Sequence, residues 1–253
     1  NSKISNGDEK KEIKLPAEDV RVLLLSGIQE VRITSGKPFK ISERGEDAFK
    51  AVTLYAGEEN LKANNKPLAS NSVIMKPPQG YFLEVNGNPY RGNLHIIKGA
   101  NRNLLVINDI GLEDYLQGVV PKEMSPQWPI EALKAQAVAA RSFVLYHKAK
   151  SRQKDYDVSA STSFQVYGGI KSETPVTNQA VKDTKGKILA YRGTPILAYF
   201  HANSGGMTED AKSAWTTDIP YLKSVKDEYS SIAPHVLWEK SFGLDAISQV
   251  LSK

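Results

Sequence analysis

The stretch from Leu112 to Lys150 constrains the fold of this chain more than any other. It is interrupted by three prolines, and each proline biases the residue before it away from helical dihedral angles. We therefore predict a short helix, then a bent loop from Val120 to Trp128 that carries Glu123, and then a long helix with proline at its first position. The prolines are Pro121, Pro126 and Pro129.

The long helix of this stretch, from Pro129 to Lys150, has apolar residues on most of its sides. Five of them follow helical spacing, and others fill the remaining faces. Many are alanines, which let neighbouring elements approach closely. We predict that this helix is a buried central element and that the loop before it is held in a fixed place, so that Glu123 is the first candidate for chemistry. The spaced residues are Ile130, Leu133, Ala137, Ala140 and Val144.

The chain before residue 111 consists of short β-branched or alternating runs separated by glycine. Such runs predict antiparallel strands. Acids, histidines and glycines do not converge anywhere in this part, so we interpret it as scaffold or binding surface. The runs are residues 20–25, 30–34, 39–41, 51–55, 73–75, 81–85, 94–97 and 104–108.

The patterns together predict an α+β protein in three parts. Residues 1–14 are polar and charged and are predicted to be a disordered tether. Residues 15–110 form a β-rich N-terminal lobe, and residues 111–253 form a C-terminal lobe of strands packed around one long buried helix. In that second lobe we predict a helix at Thr177 to Lys185 and another at Leu244 to Leu251. Between them a hairpin pairs residues 188–191 with residues 196–200.

Charge and composition restrict the partners. The net charge of +5 favours anionic surroundings such as wall polymers or acidic peptides, although it also serves solubility alone. The basic residues form no stripe with interleaved aromatics, so we expect no nucleic-acid partner. No cysteine is present, which excludes disulfides and thiolate metal sites. No run approaches the roughly 18 to 20 apolar residues of a membrane helix, and the first residues lack a signal-peptide pattern.

Three ordered blocks of sequence carry a family resemblance. The first runs from Leu112 to Tyr146 and includes Val-Val-Pro-Lys-Glu-Met and Lys-Ala-Gln-Ala-Val-Ala-Ala-Arg-Ser; the second is Gln165 to Gly169; the third is Phe200 to Gly206, followed by Trp215. This pattern resembles the stage II sporulation protein D and amidase-enhancer family of bacterial cell-wall proteins. The resemblance implies lytic transglycosylase activity on peptidoglycan glycan strands, with Glu123 as the catalytic acid.

Glu123 has neighbours that suit this chemistry. Cleaving a glycosidic bond needs a proton on the leaving oxygen, and a carboxylic acid in apolar surroundings can supply it. A lytic transglycosylase manages with one carboxylate because the nucleophile belongs to the sugar. The alternative interpretation is that Glu123 is only a solvated acid near a helix N-terminus, where a negative charge is favoured. Three other acids are rivals for a second carboxylate, and we interpret them as structural because helix starts favour acids: Glu113, Asp114 and Glu131.

The candidate substrate-binding residues come from the second and third blocks. Gln165 and Tyr167 offer an amide and a phenol that suit sugar hydroxyls and acetamido groups. Ser204, Gly205 and Gly206 present backbone amides on a tight turn that suits a carbonyl or carboxylate. His201, at the end of a predicted strand, is placed to orient Glu123 or a sugar, although a lone histidine is more often structural. The alternative for both blocks is an ordinary glycine-rich turn.

Two departures from the family alter what we expect. Some relatives bind zinc through cysteine and histidine just before the Gln-x-Tyr block, where this chain has Ser159, Ser163 and Phe164; the four histidines are scattered, so we expect no metal and no cofactor. Many relatives also continue past the equivalent of Lys253 into a segment rich in Gly-His-Gly, which we expect this chain to lack. The expected partners are glycan strands and a cell-wall amidase or other envelope proteins.

The expected location is the cell envelope, outside the cytoplasmic membrane, because the glycan strands lie there. The competing function is a non-catalytic module that binds glycan strands and stimulates a separate amidase.

Overall fold

The structure, a computed structural model, describes residues 18–42, 48–151, 154–232 and 239–251. The predicted tether, residues 1–14, lies outside these ranges. Helices and strands both occur, which confirms the α+β class. The chain divides into two compact units, Asn1–Tyr199 and Phe200–Lys253. The lobe boundary between residues 110 and 111 stays a prediction. None of the described helices has the length and apolar character needed to cross a membrane.

Thirteen strands are described, and most coincide with the alternating runs of the sequence. They are β1 (Asp19–Ile28), β2 (Glu30–Lys40), β3 (Ala48–Ala56), β4 (Leu61–Ala63), β5 (Lys66–Pro67), β6 (Ser72–Met75), β7 (Leu83–Val85), β8 (Asn88–Tyr90), β9 (Asn93–Lys98), β10 (Leu104–Gly111), β11 (Val158–Ser159), β12 (Ala190–Tyr191) and β13 (Thr194–Pro195).

Two sheets dominate the first unit. A six-stranded sheet has the order β5-β4-β3-β2-β7-β8, and a five-stranded sheet has the order β11-β1-β10-β9-β6. Neighbours pair antiparallel, except that β11 runs parallel to β1. The inward side chains of both sheets share one apolar cluster, which contains Ile33, Leu54, Met75, Leu94 and Ile96. Burial of these alternate positions is the main force that holds the strands in register.

Five α-helices complete the described fold: α1 (Leu112–Glu123), α2 (Ile130–Lys150), α3 (Pro175–Asp183), α4 (Ala211–Trp215) and α5 (Leu244–Leu251). A second apolar cluster joins α1 and α2 to β1, β10 and β11. The middle of α2 is buried, as predicted, with Leu133, Ala137, Ala140 and Val144 each 0% exposed. Helix α2 therefore fixes the position of α1 and of the loop between them.

The predicted loop from Val120 to Trp128 is wrong in its first half. Helix α1 continues to Glu123 with Pro121 inside it, and the Met124 N–H donates to the Val120 carbonyl at 3.0 Å. Val120 is 0% exposed, so its burial in the core outweighs the local bias that proline imposes on it. Glu123 thus ends a helix, the loop is residues 124–129, and α2 begins one residue later than predicted.

The other helices and the hairpin of the second predicted lobe are close to expectation. Helix α5 has the predicted bounds, and α3 begins two residues early because Thr174 caps it by accepting from the Thr177 N–H. The hairpin exists, but its strands are two residues long and its turn is Arg192-Gly193, both at positive φ. One further backbone bond, from the Ile196 N–H to the Leu189 carbonyl at 3.1 Å, follows Pro195. Residues 196–200 are not a strand, so His201 does not end one.

Candidate functional site

Glu123 lies at the end of α1, partly buried, beside the segment that contains the Gln-x-Tyr motif. Its Oε1 accepts a hydrogen bond from the Val166 N–H at 2.9 Å. Within the described residues, Oε2 has no hydrogen-bond partner. The following loop exposes Trp128, 51% of whose surface is accessible. The first two sequence blocks therefore meet at one carboxylate, with an aromatic side chain exposed on the adjoining loop.

Gln165 and Tyr167 flank the residue that holds Glu123, and both are buried. The Tyr115 hydroxyl, on α1, donates to Gln165 Oε1 at 3.4 Å, whereas Gln165 Nε2 has no partner among the described residues. The Tyr167 hydroxyl donates to Asn108 Oδ1 at 3.1 Å. The structure thus brings the two predicted binding residues to Glu123, and their contact with a sugar stays a prediction.

Gly118 allows α1 and this segment to touch. Its carbonyl accepts from the Gly168 N–H at 3.1 Å and from the Ser172 hydroxyl at 3.0 Å. A Cβ at position 118 would lie 2.5 Å from Cε2 of Tyr167, a distance that real contacts do not reach. The absence of a side chain is therefore what places the Gln-x-Tyr segment against the helix that ends at Glu123.

We expect Gly118→Ala to destabilise the fold. Alanine favours a helix interior over glycine by about 0.5–1 kcal/mol, but the clash with Tyr167 has the cost of overpacking, about 1–3 kcal/mol. The measurement is the free energy of unfolding from denaturant titration. Gly99→Ala is the matched control, because the nearest atom to its added Cβ is 3.6 Å away. Equal stability of the two variants would contradict the close approach.

Two buried tyrosines predict an alkaline limit to stability. Burial raises the pKa of Tyr115, with the Glu123 charge adding to it, and burial likewise raises the pKa of Tyr167. A tyrosine side chain in the unfolded chain ionises at about pH 10. The stabilisation is therefore complete below that pH and is lost above it, by about 1.4 kcal/mol per pH unit for each tyrosine. In this pH range the free energy of unfolding, measured by denaturant titration, should decrease less steeply with pH in Tyr167→Phe than in the wild type. The same dependence on pH in both proteins would contradict the assignment.

The three rival acids are occupied or exposed. Glu113 forms a two-pronged ion pair with Arg141, whose side chain is 0% exposed, at 2.9 and 2.7 Å. Asp114 is exposed and accepts from the Gln117 amide at 3.4 Å. Glu131 is exposed and pairs with Lys134 at 2.8 Å. Arg141 also donates to the Lys187 carbonyl at 3.0 Å, so it bonds a neighbouring loop.

The remaining predicted residues lie in the second unit, and Ser204, Gly205 and Gly206 among them lie on the turn formed by residues 203–206. Gly205 and Gly206 both have positive φ, which explains glycine there. The Gly205 N–H donates to Asn203 Oδ1 at 2.7 Å, and the Gly206 N–H donates to the Ser204 hydroxyl at 3.2 Å. These two amides are thus satisfied within the turn, and their binding of a carboxylate stays a prediction.

His201 lines a cleft of about 550 Å³ in the second unit together with Asp227 and Tyr229. The Ser204 hydroxyl donates to Asp227 Oδ2 at 2.7 Å. This bond, followed by that from the Tyr229 N–H, lowers the pKa of Asp227. Sequence reasoning missed Asp227, because it is 23 positions from Ser204 and no motif marks it.

The residues before the Gln-x-Tyr motif do not fit a zinc site. The Ser159 and Ser161 hydroxyls bond each other at 2.7 Å, and Phe164 packs edge-on to His147. Hydroxyls and a phenyl ring are not the ligands that zinc prefers. Across the part of the chain that the structure describes, no three or more His, Cys, Asp or Glu residues form a group suited to a metal ion.

Comparison with known proteins shows which family the sequence around this site resembles. Residues 100–191, which contain Glu123, Gln165 and Tyr167, match the family model SpoIID, Stage II sporulation protein. Stage II sporulation protein D of Bacillus amyloliquefaciens is 39% identical over 216 residues, which are 79% of this chain and 61% of that protein. Residues 100–191 therefore form a domain of the Stage II sporulation protein family.

Two further relatives share the region. The amidase enhancer of Bacillus subtilis (strain 168) is 37% identical over 183 residues, 68% of this chain and 25% of that protein. An uncharacterized protein of Brachyspira hyodysenteriae is 40% identical over 175 residues, 69% of this chain and 47% of that protein. The chain thus matches between a quarter and about three fifths of the length of these relatives.

Proposed function

We propose that this chain is the catalytic part of a peptidoglycan lytic transglycosylase and that Glu123 is its general acid and base. The observation that carries the proposal is the way in which the carboxylate is held. The Val166 N–H fixes Oε1 as an acceptor at 2.9 Å, so the transferable proton belongs on Oε2. A fixed carboxyl with one available oxygen can reach a glycosidic oxygen in a constant geometry.

The reaction needs one carboxyl group. Glu123 donates its proton to the glycosidic oxygen as the bond from that oxygen to the anomeric carbon of muramic acid breaks. The hydroxymethyl oxygen of the same sugar then bonds to the anomeric carbon and gives its proton back to Glu123. No water is consumed, and the product ends in anhydro-muramic acid. The ion pairs of Glu113 and Glu131 support a mechanism with a single carboxyl group, because these two acids are already paired with basic side chains.

In the first unit we assign glycan binding to Gln165, whose amide is suited to an acetamido group. The Tyr167 hydroxyl is instead bonded inward, to Asn108. In the second unit, taken by itself, we assign glycan binding to His201 and the turn of Ser204, Gly205 and Gly206. The charge of +5 suits an anionic wall, and the location is outside the cytoplasmic membrane, where the substrate lies.

The test is incubation with purified glycan strands, followed by mass spectrometry of the soluble fragments. Fragments ending in anhydro-muramic acid, one water lighter than hydrolysis products, are the expected result. Soluble fragments with ordinary reducing ends would instead indicate a hydrolase, and the proposal would be wrong.

A second candidate function is favoured by the similarity to an amidase enhancer. In this case the chain binds glycan strands and stimulates a separate cell-wall amidase without cutting glycan itself. Sedimentation with purified sacculi in the absence of soluble product, together with faster release of stem peptides by an added amidase, would support this function over the first.

A further inference from the structure

The segment 165–169 carries the N–H that holds Glu123, yet it has no regular secondary structure. A loop without a ladder needs other bonds to keep one N–H in place. The Gly168 N–H bonds the Gly118 carbonyl at 3.1 Å, which ties the end of the segment to α1. The residue next to Val166 that is most firmly held is Tyr167, and its hydroxyl is bonded away from the surface, to Asn108.

Asn108 lies in β10 with its side chain fully buried. Its Nδ2 donates to the carbonyls of Arg91 at 2.8 Å and Asn93 at 3.0 Å. Both amide hydrogens are therefore used on acceptors that cannot donate, which fixes the orientation of the amide and leaves Oδ1 to receive a donor. The Tyr167 hydroxyl is that donor, at 3.1 Å. The central strand β10 thus determines where the Tyr167 hydroxyl lies.

Ring packing adds to this bond. The Tyr167 ring lies 5.1 Å from the Tyr115 ring and 5.8 Å from the Tyr90 ring, measured between centroids, and it fills the space that Gly118 leaves open. Because both the ring face and the hydroxyl of Tyr167 are held, the backbone of Tyr167 can move little.

We propose that Asn108 and Tyr167 are positioning residues for Glu123. They form a chain of contacts that runs from the carbonyls of residues 91 and 93 through Asn108 and Tyr167 to the Val166 N–H and so to Glu123 Oε1. Neither residue needs to touch the substrate. The kinetic consequence of this inference rests on the proposed function, whereas the structural consequence at Val166 does not.

Tyr167→Phe is the variant that separates the bond from the packing. Phenylalanine keeps the ring against Gly118 but leaves Asn108 Oδ1 buried without a donor. The segment 165–169 is then no longer held in one position, and Glu123 no longer keeps one orientation. We expect kcat to fall by roughly tenfold to a hundredfold with KM nearly unchanged. Tyr90→Phe is the matched control, because it removes a hydroxyl from a ring that packs on the same tyrosine and leaves the bond from Tyr167 to Asn108 in place.

A spectroscopic readout decides the inference independently of turnover. Since the Val166 N–H donates to the Glu123 carboxylate, its amide resonance in the wild type should shift as that carboxylate is protonated, and Glu123→Gln should abolish this shift. We expect Tyr167→Phe to reduce the shift at least by half, and Tyr90→Phe to leave it as in the wild type. The resonance is read from the folded state, so a small unfolded fraction does not affect it.

A wild-type shift of the Val166 amide in Tyr167→Phe would overturn the positioning role. If the wild-type chain does not cut glycan, the proposed function is wrong. The Val166 resonance still shows, without any turnover, whether Tyr167 positions Glu123.

Discussion

Replacement of Glu123 by glutamine is expected to lower glycan turnover by about a hundredfold to ten-thousandfold, the usual loss when a general acid is removed. Glutamine keeps the shape of the side chain and its acceptor for the Val166 N–H, but it has no proton to transfer. Binding to purified sacculi should therefore change little. The measurement is the initial rate of fragment release, alongside sedimentation with sacculi.

Glu131→Gln is the matched control for this experiment. It makes the same chemical change eight positions further along the chain, on an exposed side chain that pairs only with Lys134 among the described residues. Its turnover should equal that of the wild type. Unaltered activity in Glu123→Gln, or equal losses in both variants, would contradict the role of Glu123.

Removal of the Glu113 carboxylate should have the largest effect on stability. Arg141 is fully buried, and Glu113 is its charge partner in a two-pronged pair. Its remaining bonds reach the carbonyls of Ala137, Val181 and Lys187. Glu113→Ala leaves this charge uncompensated in the interior. We expect the free energy of unfolding to fall by about 3 kcal/mol, the lower end for breaking a buried pair, because Glu113 is itself 27% exposed.

Two comparisons sharpen that measurement. Glu131→Ala breaks an exposed pair and should cost less than about 1 kcal/mol. The double variant Glu113→Ala with Arg141→Leu should be more stable than Glu113→Ala alone, because it removes the isolated buried charge. A Glu113→Ala variant as stable as Glu131→Ala would show that Arg141 does not depend on this partner.

The strands and helices whose apolar residues recur at a regular spacing could be predicted from the sequence. Strands such as β1 and β10 show β-branched runs, and α2 shows apolar residues at helical spacing; burial then acts on the same pattern that the sequence displays. Pro121 misled the prediction because a local rule was applied where Val120 is fully buried. Tertiary packing supplied more free energy there than the local bias of one proline.

The candidate site was only partly predictable for a different reason. Glu123 and the Gln-x-Tyr motif were identified from ordered sequence blocks. The bond that joins them spans 43 positions, and the one from Tyr167 to Asn108 spans 59. No local period or spacing encodes contacts at such separations. Asn108 in particular resembles an ordinary polar residue in a strand until its three partners are known.

The most direct test of the central claim is the cleavage of purified glycan strands in water labelled with heavy oxygen. In the proposed reaction the sugar's own hydroxymethyl oxygen closes the new end, so water supplies no atom. The account predicts products that end in anhydro-muramic acid and carry no label, with release suppressed in Glu123→Gln. Incorporation of one labelled oxygen at each new reducing end would contradict it.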